Sequence, residues 1–149
     1  MWEVRTGRAI FHVDAEPNVQ RGRRNNLCGL AFSPNGKWLA TAMLTGEPDA
    51  VSATIMQIAI RDAHTGRVKK QWNWQGVNLI QIDNYDGNLR QVALAFSPDG
   101  NLLAGIGPVS GALWNVTSGR LVRSLEIEPQ IIGESRTLRF TPDGKLLAG

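Results

Sequence analysis

Phe32-Ser33-Pro34-Asn35-Gly36 returns as Phe96-Ser97-Pro98-Asp99-Gly100 and again as Phe140-Thr141-Pro142-Asp143-Gly144. Pro presets φ for the first central position of a turn. Asn or Asp tolerates the next position and can bond its own backbone, and Gly takes the positive φ that ends the turn. A strand-like segment precedes each copy, over 28–32, 92–96 and 138–140, and another follows, over 37–41, 101–105 and 145–149. Alternation predicts one inward row per strand, Leu30 with Phe32 and Leu94 with Phe96. Three hairpins of one kind identify a repeat protein.

A second repeat interleaves with the first. Trp2-Glu3-Val4-Arg5-Thr6-Gly7-Arg8 matches Arg61-Asp62-Ala63-His64-Thr65-Gly66-Arg67, and both match Trp114-Asn115-Val116-Thr117-Ser118-Gly119-Arg120. Each copy ends one strand, turns at its Gly and starts another, over 9–13, 68–72 and 121–125. With the strands of one unit lettered a to d, the chain order is c, d, then a to d twice, then a, b. That predicts twelve strands in an all-β fold.

A four-stranded unit with a Ser-Pro-Asp-Gly turn between a and b, and a Trp-Asp-like pair ending strand c, resembles a WD40 repeat. Propellers of the YVTN type share the hairpin and are the second resemblance. The WD40 resemblance covers nearly the whole chain and implies a partial β-propeller of four-stranded antiparallel blades. Residues 1–13 would end one blade, 27–73 and 91–127 would each form one, and 135–149 would start the next. The departures are specific. The Trp-Asp pair reads Trp2-Glu3, Arg61-Asp62 and Trp114-Asn115, and the family's Gly-His before strand a is absent. Its strand-b Ser or Thr is matched only by Thr41, with Gly105 and Gly149 at the other two positions. The side-chain network that ties the family's blades together is therefore mostly missing, and apolar packing between sheets is expected to replace it. Propellers close with about four to eight blades. Twelve strands are thus expected to be part of a longer protein, or to close by self-association, one copy's c–d hairpin completing another's a–b hairpin.

Composition narrows the class. In 149 residues, 42% are hydrophobic and 19% charged, which supports a buried core and argues against disorder. Cys28 is the single cysteine, so no disulfide can form within the chain, and a reducing, cytoplasmic setting is expected. No apolar run approaches the roughly 18 residues that span a bilayer, and the start of the chain lacks a signal-peptide pattern. The net charge of +3 decides nothing by itself.

The spacing of the repeats locates the candidate site. Phe96 to Phe140 spans 44 residues, whereas Phe32 to Phe96 spans 64, which is 20 more. Gly36 to Arg61 is 25 residues against 14 from Gly100 to Trp114, so 11 fall between strands b and c. Thr65 to Phe96 is 31 against 22 from Ser118 to Phe140, so the other 9 fall between d and a. Strands alternate direction, so both insertions emerge on one face of the disc. Surface loops tolerate insertions and carry function more often than the scaffold does. The candidate contact loops are 17–24, 45–52 and 74–88. Within them Arg21, Arg23, Arg24, Trp74 and Tyr85 are the residue types enriched at binding hot spots.

Each candidate has a plainer alternative. Arg21-Gly22-Arg23-Arg24 could grip phosphate or an acidic peptide, or be a solvated basic loop. Trp72 is expected in blade packing, and Trp74 either in packing or at an interface. Asp83-Asn84-Tyr85-Asp86-Gly87-Asn88 lacks the carboxylate pattern of a calcium loop and is taken as a turn. His12 and His64 stand apart with no ligand cluster around them, so no metal is expected. Cys28, mid-strand among apolar residues, is expected to be inert. Asn115-Val116-Thr117 fits a glycosylation sequon but fills the Trp-Asp slot and is discounted. No catalytic or nucleotide-binding motif is present, and no cofactor is expected. The expectation is a non-catalytic scaffold that binds a protein or peptide partner. The alternatives are the propeller part of a larger enzyme, a propeller enzyme with its site over the central channel, and a binder of nucleic acid or another anion through the basic loop.

Overall fold

The computed structural model describes residues 1–11, 26–45, 55–74, 92–107, 110–127 and 137–149. Among these residues ten strands form three antiparallel sheets, with no helix. β1 (Asn26–Phe32), β2 (Trp38–Thr45), β3 (Ile55–Asp62) and β4 (Val68–Trp74) lie side by side in that order. β5 (Ala93–Phe96), β6 (Leu102–Ile106), β7 (Gly111–Asn115) and β8 (Leu121–Leu125) repeat the arrangement. β9 (Arg139–Phe140) and β10 (Leu147–Ala148) form a hairpin, and an antiparallel bridge joins Trp2 to Ala9. The order c, d, a, b, c, d, a, b, c, d, a, b is therefore the observed one. The first two segments are represented by that bridge.

Local chemistry explains why the hairpins repeat so faithfully. In each a–b turn one hydroxyl does two jobs. Ser33 Oγ donates to Asn35 Oδ1 at 2.8 Å and accepts from the Trp38 N–H at 2.9 Å. Ser97 does the same with Asp99 and Leu102, at 2.5 and 2.9 Å. Thr141 does so with Asp143 and Leu146, at 2.6 and 3.1 Å. The Asn or Asp oxygen also accepts the backbone N–H two residues on, from Lys37, Asn101 or Lys145. The turn hydroxyl and the N–H groups that close the turn thus find their acceptors within it, which is the local bonding these residue types favour. The glycines that end the a–b and c–d turns all have φ between +67° and +73°.

The sheets pack face to face. β1 lies against β5, and β5 against β9, so the a strands are neighbours, as the inner strands of a propeller must be. Ala40, Ala42, Met56, Ile58 and Ile60 of the first sheet meet Leu94, Phe96, Leu103, Ala112 and Trp114 of the second. Ala93, Ala95 and Ala104, on the second sheet's other face, meet Leu138, Phe140 and Leu147 of the third. Period-two alternation sends successive residues to opposite faces, so β5 and β6 turn Leu94, Phe96 and Leu103 toward the first sheet and Ala93, Ala95 and Ala104 toward the third. Apolar packing does hold the blades, as the departures from the family pattern implied.

One detail differs from expectation. Leu30 and Phe32 are 55% and 50% exposed, not buried, although Leu94 and Phe96 at the same positions are each 8% exposed. The row faces backward. The second sheet has the first behind it, whereas among the described residues the first sheet's a strand has no sheet behind it. Cys28 sits at a register shift in β1, and its carbonyl accepts the Val92 N–H at 3.0 Å. At the next residue, a Cβ on Gly29 would stand 2.1 Å from the Val92 carbonyl oxygen. Only glycine lets the two inner strands come this close.

Candidate binding face

The connections sort by length onto the two ends of the sheets. At one end the a–b turns occupy 33–37 and 97–101, and the c–d turns occupy 63–67 and 116–120, so they match in length between blades. At the other end the b–c connection is 46–54 in the first blade and 107–110 in the second. The d–a connection is 75–92 against 126–138. The extra chain therefore leaves from one end of the first blade. That end is the candidate binding face.

A groove of 490 Å³ lies there between the first and second sheets. Asn73, Trp74, Ser110, Trp114, Leu125 and Glu126 are among its walls. Trp74 stands edge-on to Trp114, with ring centroids 5.0 Å apart and planes at 81°. Trp72 tilts against the same ring at 6.0 Å and 55°. The spacing of two on β4 puts both indoles on one face, and Trp114 comes to meet them from β7. An aromatic floor with a few polar groups is ordinary composition for a recognition pocket.

Trp74 is not the loop residue its position suggested. β4 runs two residues past the expected end of strand d, and Trp74 is its last residue, 5% exposed. Most of the indole is core, and a partner entering the groove would meet only an edge of it. Arg21, Arg23, Arg24 and Tyr85 lie outside the described residues, as does the 83–88 segment. His64 is exposed in its c–d turn, away from the groove. Among the described residues no three His, Cys, Asp or Glu side chains gather as a metal site would require. No described helix is long and apolar enough to cross a membrane.

The opposite end is rigid turn chemistry. Asp62 Oδ1 accepts from the N–H groups of His64 and Thr65 and from the Thr65 hydroxyl, at 2.9–3.0 Å. Asn115 Oδ1 accepts from the Ser118 N–H and hydroxyl at 2.8 and 2.9 Å. Glu3 accepts from the Thr6 hydroxyl. The second residue of the Trp-Asp slot thus caps the c–d turn in all three copies, whichever acceptor it is. The sequon reading of Asn115 has a structural competitor in that cap. These donors hold the Asp62 carboxyl below the usual carboxylate range, the Thr65 N–H contributing most. Asp99 and Asp143 are lowered for the same reason, chiefly by the Ser97 and Thr141 hydroxyls.

The first residue of that slot hides a pair that reading along the chain missed. Arg61 is 9% exposed. Its Nε–H lies 3.3 Å from Thr41 Oγ1, and its Nη1 donates to the Gly66 carbonyl at 3.2 Å. In the second blade the corresponding residues are Trp114 and Gly105, and a Cβ on Gly105 would stand 2.8 Å from the Trp114 ring. A hydroxyl partners the arginine, and an absent side chain makes room for the tryptophan. The signal was present in the pairing of each departure with a position that keeps the family's residue type, Arg61 with Thr41 and Gly105 with Trp114.

The family model "WD domain, G-beta repeat" matches residues 17–47, a stretch that contains β1, its turn and β2. No curated protein matches the chain. Among solved structures, it is similar to Kuenenia stuttgartiensis hydrazine synthase at 15% identity and a TM-score of 0.48, over 87% of this chain and 31% of that one. A eukaryotic initiation factor matches at 24% identity and 0.47, over 93% and 28%. The WD40 β-propeller domain of Doa1 matches at 14% and 0.37, over 81% and 45%. The chain spans less than half the length of each. The matched repeat is seated on β1 and β2, and its turn chemistry and strand order recur in β5–β8 and β9–β10, so the likeness to a WD40 repeat continues along an open, partial propeller-like fold.

Proposed function

We propose that this chain is a non-catalytic scaffold that binds a protein or peptide partner on the end of the blades where the long connections leave. WD40 domains generally mediate protein interactions, which supports the class of partner. The observation that carries the location is the length asymmetry. Both connections that leave the end with the Trp74–Trp114 groove are longer in the first blade, 46–54 against 107–110 and 75–92 against 126–138, while the opposite turns keep one length and one hydrogen-bond pattern. Rigid sheets that position variable loops are the usual plan of a recognition surface. The contact residues are Arg21, Arg23, Arg24 and Tyr85, with the groove as the apolar anchor. A cytoplasmic setting suits the lone thiol of Cys28.

Site-specific photocrosslinking tests the proposal. A crosslinking residue at position 23 or 85 is expected to capture a partner that one at 35 or 99 does not. Equal capture from both ends would contradict it. Capture that collapses with added salt, and is competed by a polyanion, would favour an anionic partner held by the basic loop.

A further inference from the structure

The groove between the first two sheets is a gap in a joint that is tight elsewhere. Leu121 and Ser124 of β8 pair with Trp114 and Ala112 of β7, so they stand on the face of the second sheet that looks at the first. Trp114 and Ala112 are 3% and 2% exposed, whereas Leu121 is 56% exposed. Leu125 and Ile127 continue the apolar wall. Ser110 Oγ, also in the wall, is buried and has no hydrogen-bond partner. A buried hydroxyl left unpaired costs stability, and each native exception calls for a reason. Glu126 is the only charged residue among the described residues that wall the groove, and it makes no ion pair among them. The nearby cations are turned away or engaged. Arg123 pairs with Leu113, which packs on the other face of the sheet, and Lys70 donates to the Thr117 carbonyl.

We infer that the groove takes an arginine side chain of a peptide partner. The aliphatic stem lies along Leu121, Leu125 and Ile127, as long cationic side chains do on apolar surface. The guanidinium has N–H donors and no acceptor, so it suits walls whose oxygens, Ser110 Oγ, Ser124 Oγ and the Glu126 carboxylate, lack donors. The carboxylate with no cation beside it supplies the charge complement. An apolar side chain would leave Ser110 and Glu126 unmet, and an acidic one would be repelled by Glu126. A lysine brings a point charge, which serves one acceptor at a time less well than the planar fork serves several. The inference rests on the reading of this end of the blades as the partner-binding face, and narrows it to the chemistry of one contact.

The indole N–H signals of the 149-residue chain, followed by NMR as acetyl-Ala-Arg-Ala-amide is added, test it. The Trp74 and Trp114 signals should shift and saturate, while those of Trp2 and Trp38 stay in place. The same peptide with citrulline keeps the shape and loses the charge, and it should bind about tenfold more weakly, as the loss of a charged hydrogen bond implies. Glu126→Gln should weaken the arginine peptide by a similar factor and leave the citrulline peptide unchanged. Ser110→Ala should weaken both peptides without lowering the thermal midpoint, because the hydroxyl has no partner to lose in the free chain. No saturable shift, equal binding of the two peptides, binding indifferent to either substitution, or a lowered midpoint for Ser110→Ala would overturn the inference. Crosslinking from positions 23 and 85 depends on none of these outcomes, so the partner-binding face would stand if the groove failed.

Discussion

Pro98 Cδ lies 3.4 Å from the point where a Cβ would stand on Gly144, so the proline of one a–b turn is seated on the glycine of the next. Pro34 holds the same place over Gly100 at 3.9 Å. The three Pro turns therefore line one rim, each touching its successor, as a common radial arrangement requires. Gly36 and Gly144 share nearly the same φ, +68° and +70°, but nothing stands within 4 Å of a Cβ on Gly36. Gly36→Ala is expected to cost only the left-handed backbone term, roughly 1–2 kcal/mol. At Gly144 the new methyl would only gain van der Waals contact with Pro98, so Gly144→Ala should cost no more than Gly36→Ala. Urea midpoints of the two variants check this, and a clearly larger loss at Gly144 would contradict the spacing of the rim.

Gly29→Ala should be the most damaging of the glycine substitutions. The new methyl group would meet a backbone oxygen at 2.1 Å, and no side-chain rotation can relieve that contact. The Val92–Cys28 hydrogen bond should be lost as the inner strands part. The check is amide exchange at Val92, which should speed up far more than at Leu103.

Trp74→Ala tests whether the indole belongs to the core. Truncating a buried aromatic costs about 3–5 kcal/mol. The loss should fall on the joint between the first two blades, since Trp74 rests on Trp114 across it. Thermal unfolding should drop accordingly, and a stability change near zero would return Trp74 to the surface.

Arg61 with Thr41, and Trp114 with Gly105, are two solutions to one packing site. Thr41→Val leaves the buried guanidinium short of an acceptor and is expected to cost about 1–3 kcal/mol. Gly105→Thr drives a side chain into the Trp114 ring. The double variant Gly105→Thr with Trp114→Arg should recover part of that loss, so the two changes should be non-additive by at least about 0.5 kcal/mol. Strict additivity in a double-mutant cycle would show that the pairing is accidental.

Acid should loosen the turns. Asp62, Asp99 and Asp143 have folded-state pKa values below the ordinary one, so their ionised forms are favoured by folding. That contribution is complete above the unfolded value, about 3.9, and is lost as pH falls through the lower folded values. Asn35 and Asn115 already fill the same places in sibling turns. The triple Asp→Asn variant should therefore stay folded near neutrality and lose less stability than the parent between about pH 5 and pH 2. Parallel pH curves would contradict the assignment.

The turns were legible in the sequence because their bonding is local. Ser33 to Trp38, or Asp62 to Thr65, closes within a few residues, and the same types recur at the same spacing. The strand order followed from those turns. What escaped depended on contacts between distant segments. The exposure of Leu30 and Phe32 reflects what stands behind a sheet, which alternation along a strand does not encode. The Arg61–Thr41 bond joins strands 20 residues apart. Trp74 was assigned to a loop because β4 continues past its repeat boundary, and its burial comes from Trp114, supplied by the next blade. Counting between repeats assigned all the extra residues to the two connections, whereas β2, β3 and β4 are themselves longer than β6, β7 and β8 and take up part of them; the basic residues and Tyr85 lie outside the described residues.

The central claim is that successive four-stranded sheets stand face to face around one axis. Nuclear Overhauser contacts between the Trp74 and Trp114 ring protons test it most directly, since the rings lie 5.0 Å apart and come from different sheets. The account predicts a cross-peak between the two indoles, together with intact β3–β4 and β7–β8 strand contacts. Intact strand contacts without that cross-peak would show two sheets that fold as described but do not stack, and would contradict the account.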